Sequence, residues 1–207
     1  MSLKIYGTPA SRTSRVIWLA YELGIEFDND PINPRKGETR TPEYLAINPN
    51  AHVPTMKDGD LVLWESLAIN LYLAKKHASE ISPKNPEEDA LATQWSMWGL
   101  NEIEPYSIFL IQNSRKPEDQ QDHPGAADST EILKSPMQVL DNILADREWL
   151  VGGRFTVADL NVASVMGPLR PVKFDFEPFP NVAKWFLACS SRPAAVKARE
   201  LQMAQVD

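Results

Sequence analysis

The 207-residue sequence has a single cysteine, Cys189, and three histidines. One cysteine excludes an internal disulfide and fits a reducing, cytoplasmic setting. Cys189 lies in WFLACSSRP, late in an apolar helical stretch, and reads as a small core residue. No apolar run approaches the roughly 18 residues of a membrane span, and residues 1–25 lack the layout of a secretion signal. A basic surplus is missing too. The formal net charge is -7, so neither nucleic acid nor a membrane surface is an expected partner. That charge is unevenly spread. Up to His77, nine Lys/Arg face nine Asp/Glu, so the remainder of the chain carries the whole acidic surplus. The neutral first third is the easier place to hold a small anion.

What is present is ordinary for a globular chain: 43% hydrophobic and 24% charged residues, which argues against disorder. Leu3 to Tyr6 reads as a short strand. Val16, Leu19, Ala20 and Leu23 then recur at helical spacing, and Gly24 stops that helix. A second strand falls within Ile25 to Ile32. TRTPEYLAI predicts a short helix with Thr41 as N-cap and Pro42 at the first helical position. VPTM-KDGD-LVLW predicts a hairpin turning at Asp58-Gly59, and SLAINLYLAKKH a third helix.

This β-α-β-α-β-β-α order gives a small mixed sheet with helices on its faces. With Val53-Pro54 opening its third strand, this order resembles a thioredoxin-like α/β domain, expected to have a four-stranded mixed sheet over residues 1–78 and to be followed by an all-helical domain over 86–207. ASEISPKNPEED reads as the linker between them. In the second domain one long helix should run through Trp95, Trp98 and Tyr106, another over Ile132 to Leu144, and another from Val157 to about Val165. Two more are expected near Trp185 and Ala195. Lys116 to Ser129, polar with two prolines, reads as a mobile connection. FTVAD carries a capping box, with Thr156 as N-cap, Asp159 three residues on and Phe155 placed as a staple, so Asp159 reads as a folding residue.

A proline opening the third strand cannot donate to a ladder, and the Val53-Pro54 bond is expected to be cis. Redox domains of this shape place Cys-x-x-Cys at the start of the first helix. Here ASRTS stands there, so any sulfur has to arrive with the substrate. NPNAHVPTM, LWESLAIN and the later GGRFTVADLNVAS together resemble the glutathione S-transferase family over essentially the whole chain, in a serine-type, theta- or phi-like form.

The resemblance implies glutathione as co-substrate, no metal, and a homodimer. It implies that Val53, beside Pro54, pairs with the extended tripeptide through its backbone. Ser66 and the helix-start amides suit the γ-glutamyl carboxylate, and Glu65 the neighbouring ammonium. His52, Arg40 and Thr39 stand where the family places donors to the glycyl carboxylate, although His52 and Thr39 depart from the usual residue types. Tyr106 and Phe109 are candidates for the pocket of a small hydrophobic electrophile. Glu102 is a candidate beside them, able also to reach the γ-glutamyl ammonium from a partner subunit.

The thiol-activating hydroxyl is Ser11 on this resemblance, four positions before Arg15. Tyr6 lies inside the strand, Thr8 comes early, and Thr13 and Ser14 read as helix caps. The implied activity is transfer of the glutathione thiol to an electrophile. The alternatives are glutathione-dependent isomerase, dehalogenase or peroxidase chemistry, or a non-catalytic interaction module on the same fold.

Overall fold

A computed structural model describes residues 3–205. The chain divides into two compact units. The first opens with β1 (Leu3–Tyr6), α1 (Thr13–Leu23) and β2 (Phe27–Asp30), followed by a four-residue helix α2 (Pro42–Leu45). β3 (Thr55–Asp58), β4 (Leu61–Trp64) and α3 (Ser66–Lys76) complete its N-terminal part. The sheet order is β2-β1-β3-β4, with β1 parallel to β2 and the other pairs antiparallel. This is the mixed sheet anticipated from the element order; its hairpin turns at Gly59-Asp60, one residue later than expected, because Asp58 still pairs with Leu61.

Local chemistry explains the elements. The left-handed Gly24 ends α1 and donates to the carbonyls of Ala20 and Tyr21. The Thr41 hydroxyl accepts the Tyr44 N–H and caps α2, with Pro42 in its first turn. Ile5, Ile17, Leu19, Met56, Leu67, Ile69 and Leu73 are all fully buried, each removing apolar surface worth about 1.5–3 kcal/mol.

The last helix departs from the expected division. α9 (Pro193–Met203) packs on α1 and belongs to the first unit, so the second comprises Pro83–Ser190. Two contacts explain the placement. Arg192 makes a bidentate pair with Glu22, at 2.8 and 2.8 Å. Lys197 stands 4.1 Å over the Tyr21 ring. Neither pairing has a sequence-local signature.

The second unit holds α4 (Pro86–Trp98), α5 (Glu104–Ser114), α6 (His123–Leu144), α7 (Val157–Met166) and α8 (Pro180–Ser190). The long helix expected through Trp95 to Tyr106 is continuous, α4 running into α5 through one π-helical turn over Gly99–Ile103. Pro105 lacks an N–H to continue the ladder, and Gly99 lies against α7. A Cβ there would stand 3.3 Å from Val165 Cγ2.

Lys116 to Ser129 is not a mobile connection throughout. α6 already begins at His123, because Asp122 accepts the Gly125 N–H at 2.9 Å and Asn113 clasps the Asp122 backbone from both sides. The exposed polar face of that first stretch hid its helix.

The α7 start bears out the capping box. Asp159 is fully buried and accepts from Thr156 N (2.9 Å), Thr156 Oγ1 (3.0 Å), Leu150 N (2.9 Å) and Trp185 Nε1 (2.9 Å). Burial pushes its carboxyl above the usual range, and the four donors offset part of that rise. Phe155 packs edge-on against Trp149, with centroids 5.5 Å apart. Cys189 is fully buried, as anticipated.

Candidate active site

β1 ends at Tyr6 and the chain turns at Gly7, whose φ is +130°. A side chain at that position would meet Thr13 Oγ1 at 2.2 Å and Val53 Cβ at 2.8 Å. Gly7 is therefore the point where the mouth of α1 and the loop before β3 close on each other. Only a residue without a Cβ permits that approach.

Ser11 sits half-buried just before α1. Its Oγ lies 2.7 Å from the Thr8 carbonyl and 2.9 Å from Thr13 Oγ1, both acceptors for its proton, and accepts the Thr13 N–H at 3.2 Å. The anticipated capping by Thr13 and Ser14 is corrected here. The helix has Arg12 at its N-cap, and no Arg12 side-chain cap bond is made. Thr13 is fully buried against Gly7, and the Ser14 hydroxyl donates back to the Ser11 carbonyl at 2.9 Å. The residue that accepts a first-turn amide is Ser11 itself. Tyr6 is 8% exposed, edge-on to Tyr44 and covered by Lys4, which marks it as a packing residue.

The Val53-Pro54 bond is cis. Val53 is half-buried, and neither its N–H nor its C=O takes part in a hydrogen bond among the described residues. Across the sheet, exposed Glu65 holds a φ of +74° between β4 and α3. A non-glycine residue in that region is strained, and such strain gathers at binding sites. Ser66 opens α3 and is 4% exposed, with Arg15 Nη1 at 3.5 Å from its Oγ. Arg15 is itself buried on α1, and Asn70 donates to its carbonyl. Ser11, Val53 and Ser66 are thus tied together through Thr13, Gly7 and Arg15.

The other candidates scatter. Arg40 and His52 are exposed, whereas Thr39 is buried at 2% and presents no open hydroxyl to solvent. In the second unit Glu102 is exposed and Tyr106 half-buried. The Phe109 ring lies against the start of α6, its Cζ 3.1 Å from where a Gly125 Cβ would be, so it reads first as packing.

Gly7, Arg15, Tyr44 and Asn48 were not singled out from sequence. NPNAHVP held a signal for Asn48, since an asparagine just before a proline favours a turn and bonds its own loop. The strain at Glu65 had none.

Comparison with known proteins follows this geometry. Residues 1–75 match the glutathione S-transferase N-terminal domain and residues 103–193 the C-terminal domain. Glutathione S-transferase D7 of Drosophila melanogaster is 31% identical over 191 residues, covering 89% of this chain and 82% of that protein.

This chain belongs to the glutathione S-transferase family.

Solved members agree in fold. The theta class glutathione S-transferase from Xanthomonas axonopodis pv. citri, with glutathione bound, superposes with a TM-score of 0.88 at 31% identity, covering 95% of this chain and 96% of that one. Poplar glutathione transferase F1 gives 0.90 at 27% identity, covering 99% of each chain.

Proposed function

We propose that this chain is a glutathione transferase that binds the tripeptide along Val53, Glu65 and Ser66 and steadies its thiolate with Ser11. The observation that carries this reading is the unpaired Val53 backbone packed, across Gly7, against the loop that holds Ser11. An extended peptide pairs with such an edge backbone to backbone. The α3 start, the Ser66 hydroxyl and the buried Arg15 behind it suit the γ-glutamyl carboxylate, and exposed Glu65 suits its ammonium. Arg40 and His52 are the exposed groups available for the glycyl carboxylate.

The chemistry follows from the thiol. A free thiol near pKa 8.5 is only a few per cent thiolate at neutral pH, and thiolate is the nucleophile. Serine is no base here. Its proton serves neutral acceptors in the free protein, and an anionic sulfur is a stronger acceptor than either. Donation to S⁻ lowers the thiol pKa, and solvent takes the proton. The sulfur lone pair then forms the new S–C bond as the leaving group departs with its electrons. Tyr106 is kept as the aromatic candidate for a hydrophobic electrophile, because the Phe109 ring packs against the start of α6.

We read the protein as a cytoplasmic homodimer with no resident metal. Exposed Leu61, Val62 and Trp64 on β4, and Leu91 and Met97 on α4, are apolar residues of the kind a second copy covers. None of the described helices is long and apolar enough to cross a membrane.

Retention on immobilised glutathione, with conjugation of a chromogenic aryl halide by the retained protein, tests the reading. A chain that passes through the column is not a glutathione transferase.

A further inference from the structure

The His52 carbonyl is held by two buried donors. The Tyr44 hydroxyl donates to it at 2.6 Å and Asn48 Nδ2 at 3.0 Å. Both residues are almost fully buried, Tyr44 at 3% and Asn48 at 1% exposure. The network behind them is closed. Asn48 Nδ2 also donates to Thr55 Oγ1 at 2.9 Å, and Thr55 Oγ1 lies 2.9 Å from the Tyr44 hydroxyl. Because Tyr44 gives its one proton to His52, Thr55 is the donor in that last contact. Asn48 Oδ1 is occupied in turn by the Asn50 N–H and side-chain amide, at 3.0 and 3.2 Å. Every polar atom of the cluster therefore has a partner, which is the condition under which a buried polar network rigidifies its surroundings.

The peptide plane carries the consequence. The His52–Val53 bond is trans, and across a trans peptide the C=O and the N–H point in opposite directions. Fixing the His52 carbonyl inward fixes the Val53 N–H outward. That N–H has no partner among the described residues.

We propose that Tyr44 and Asn48 are positioning residues for glutathione: they aim the Val53 amide by holding the carbonyl at the other end of its peptide plane. This rests on the reading that Val53 pairs with the tripeptide. It assigns to Tyr44 of α2 and to Asn48 of the loop that follows it the job of setting glutathione affinity. The thiol chemistry lies elsewhere, at Ser11, so affinity and thiol pKa should separate.

The test measures glutathione affinity by calorimetry, and the pKa of the bound thiol by thiolate absorbance at saturating glutathione. The variants are Tyr44→Phe, Asn48→Ala and, as a control, Tyr72→Phe, whose lost hydroxyl bonds Asp58 on the same unit at 2.9 Å. Tyr44→Phe should raise the Kd about three- to tenfold, the size of one modest hydrogen bond, with the bound thiol pKa at the parent value. Asn48→Ala should raise it at least as much where it folds, and the control should leave it alone. A Tyr44→Phe protein with lowered thermal stability but parental Kd makes the cluster merely structural and overturns the proposal. So does a shift in thiol pKa equal to that of Ser11→Ala. Failure of the parent to bind glutathione sinks the underlying reading as well, and is distinct from either result.

Discussion

The starts of α7 and α1 both carry hydroxyls, and they are built differently. At α7 every group is spent on folding: Asp159 takes four donors, and Thr156 is 1% exposed. At α1 the N-cap position is Arg12, whose side chain makes no cap hydrogen bond, and half-buried Ser11 keeps its proton on neutral neighbours. The Thr156 hydroxyl is committed to a buried carboxylate, whereas the Ser11 hydroxyl has neutral partners that an incoming anion can replace.

Removing the most committed group should cost most. Asp159→Ala should destabilise the fold by about 3–5 kcal/mol in urea unfolding, because three backbone and side-chain N–H donors and a hydroxyl lose their shared acceptor at a fully buried site. Folded protein that survives should bind glutathione as the parent does. A loss under 1 kcal/mol would mean that the α7 start is less committed than its bonding indicates.

Next comes the joint that holds the α1 mouth. Gly7→Ala forces a Cβ into Thr13 Oγ1 and Val53 Cβ at a φ of +130°, which should cost about 2–4 kcal/mol. Glutathione affinity should fall with it, since both arms of the site must move. An alanine variant with parental affinity would uncouple Gly7 from the site.

A smaller effect depends on pH. Arg154 holds the Glu88 carboxyl down to about 2, with the nearest contact 2.6 Å. A lowered carboxylate pKa gives stability that is present above the ordinary value near 4.5 and lost as pH falls from there towards 2. The pair is partly exposed, so solvent screening limits its worth to about 1–2 kcal/mol. Arg154→Ala should lower stability at pH 7 and flatten the acid loss between pH 4.5 and 2, read from urea midpoints. Equal slopes for variant and parent would show that the pair is idle.

The smallest change belongs to Ser14, whose hydroxyl returns to the Ser11 carbonyl. Ser14→Ala should cost under about 1 kcal/mol and leave the bound thiol pKa unmoved. A shift there would transfer the chemistry from Ser11 to its neighbour.

The contrast also explains what the sequence made legible. The strands, the Thr41 cap, the Gly24 stop, the β3-β4 hairpin (its turn one residue later than read) and the α7 capping box are local chemistry within a few residues, and they could be read directly. Ser11, Val53 and Ser66 entered through family resemblance, which fixed positions but not surroundings. Long-range contacts stayed hidden. Arg192 reaches Glu22 across 170 positions and draws the last helix onto the first unit. Arg15 reaches Ser66 across 51. The capping assigned to Thr13 and Ser14 failed because Thr13 turns inward against Gly7, an approach no spacing rule records.

The central claim is that Ser11 donates to the glutathione sulfur, and the pKa of the bound thiol tests it most directly. Ultraviolet thiolate absorbance should be titrated at saturating glutathione in the parent, Ser11→Ala and Ser11→Thr. The parent should titrate well below the free-thiol value near 8.5. Ser11→Ala should return most of the way to it, a change of about 1–2 pKa units, while still binding glutathione. Ser11→Thr should recover part of the depression. A Ser11→Ala protein that binds glutathione and titrates like the parent would contradict the account and leave the α1 hydroxyls with folding alone.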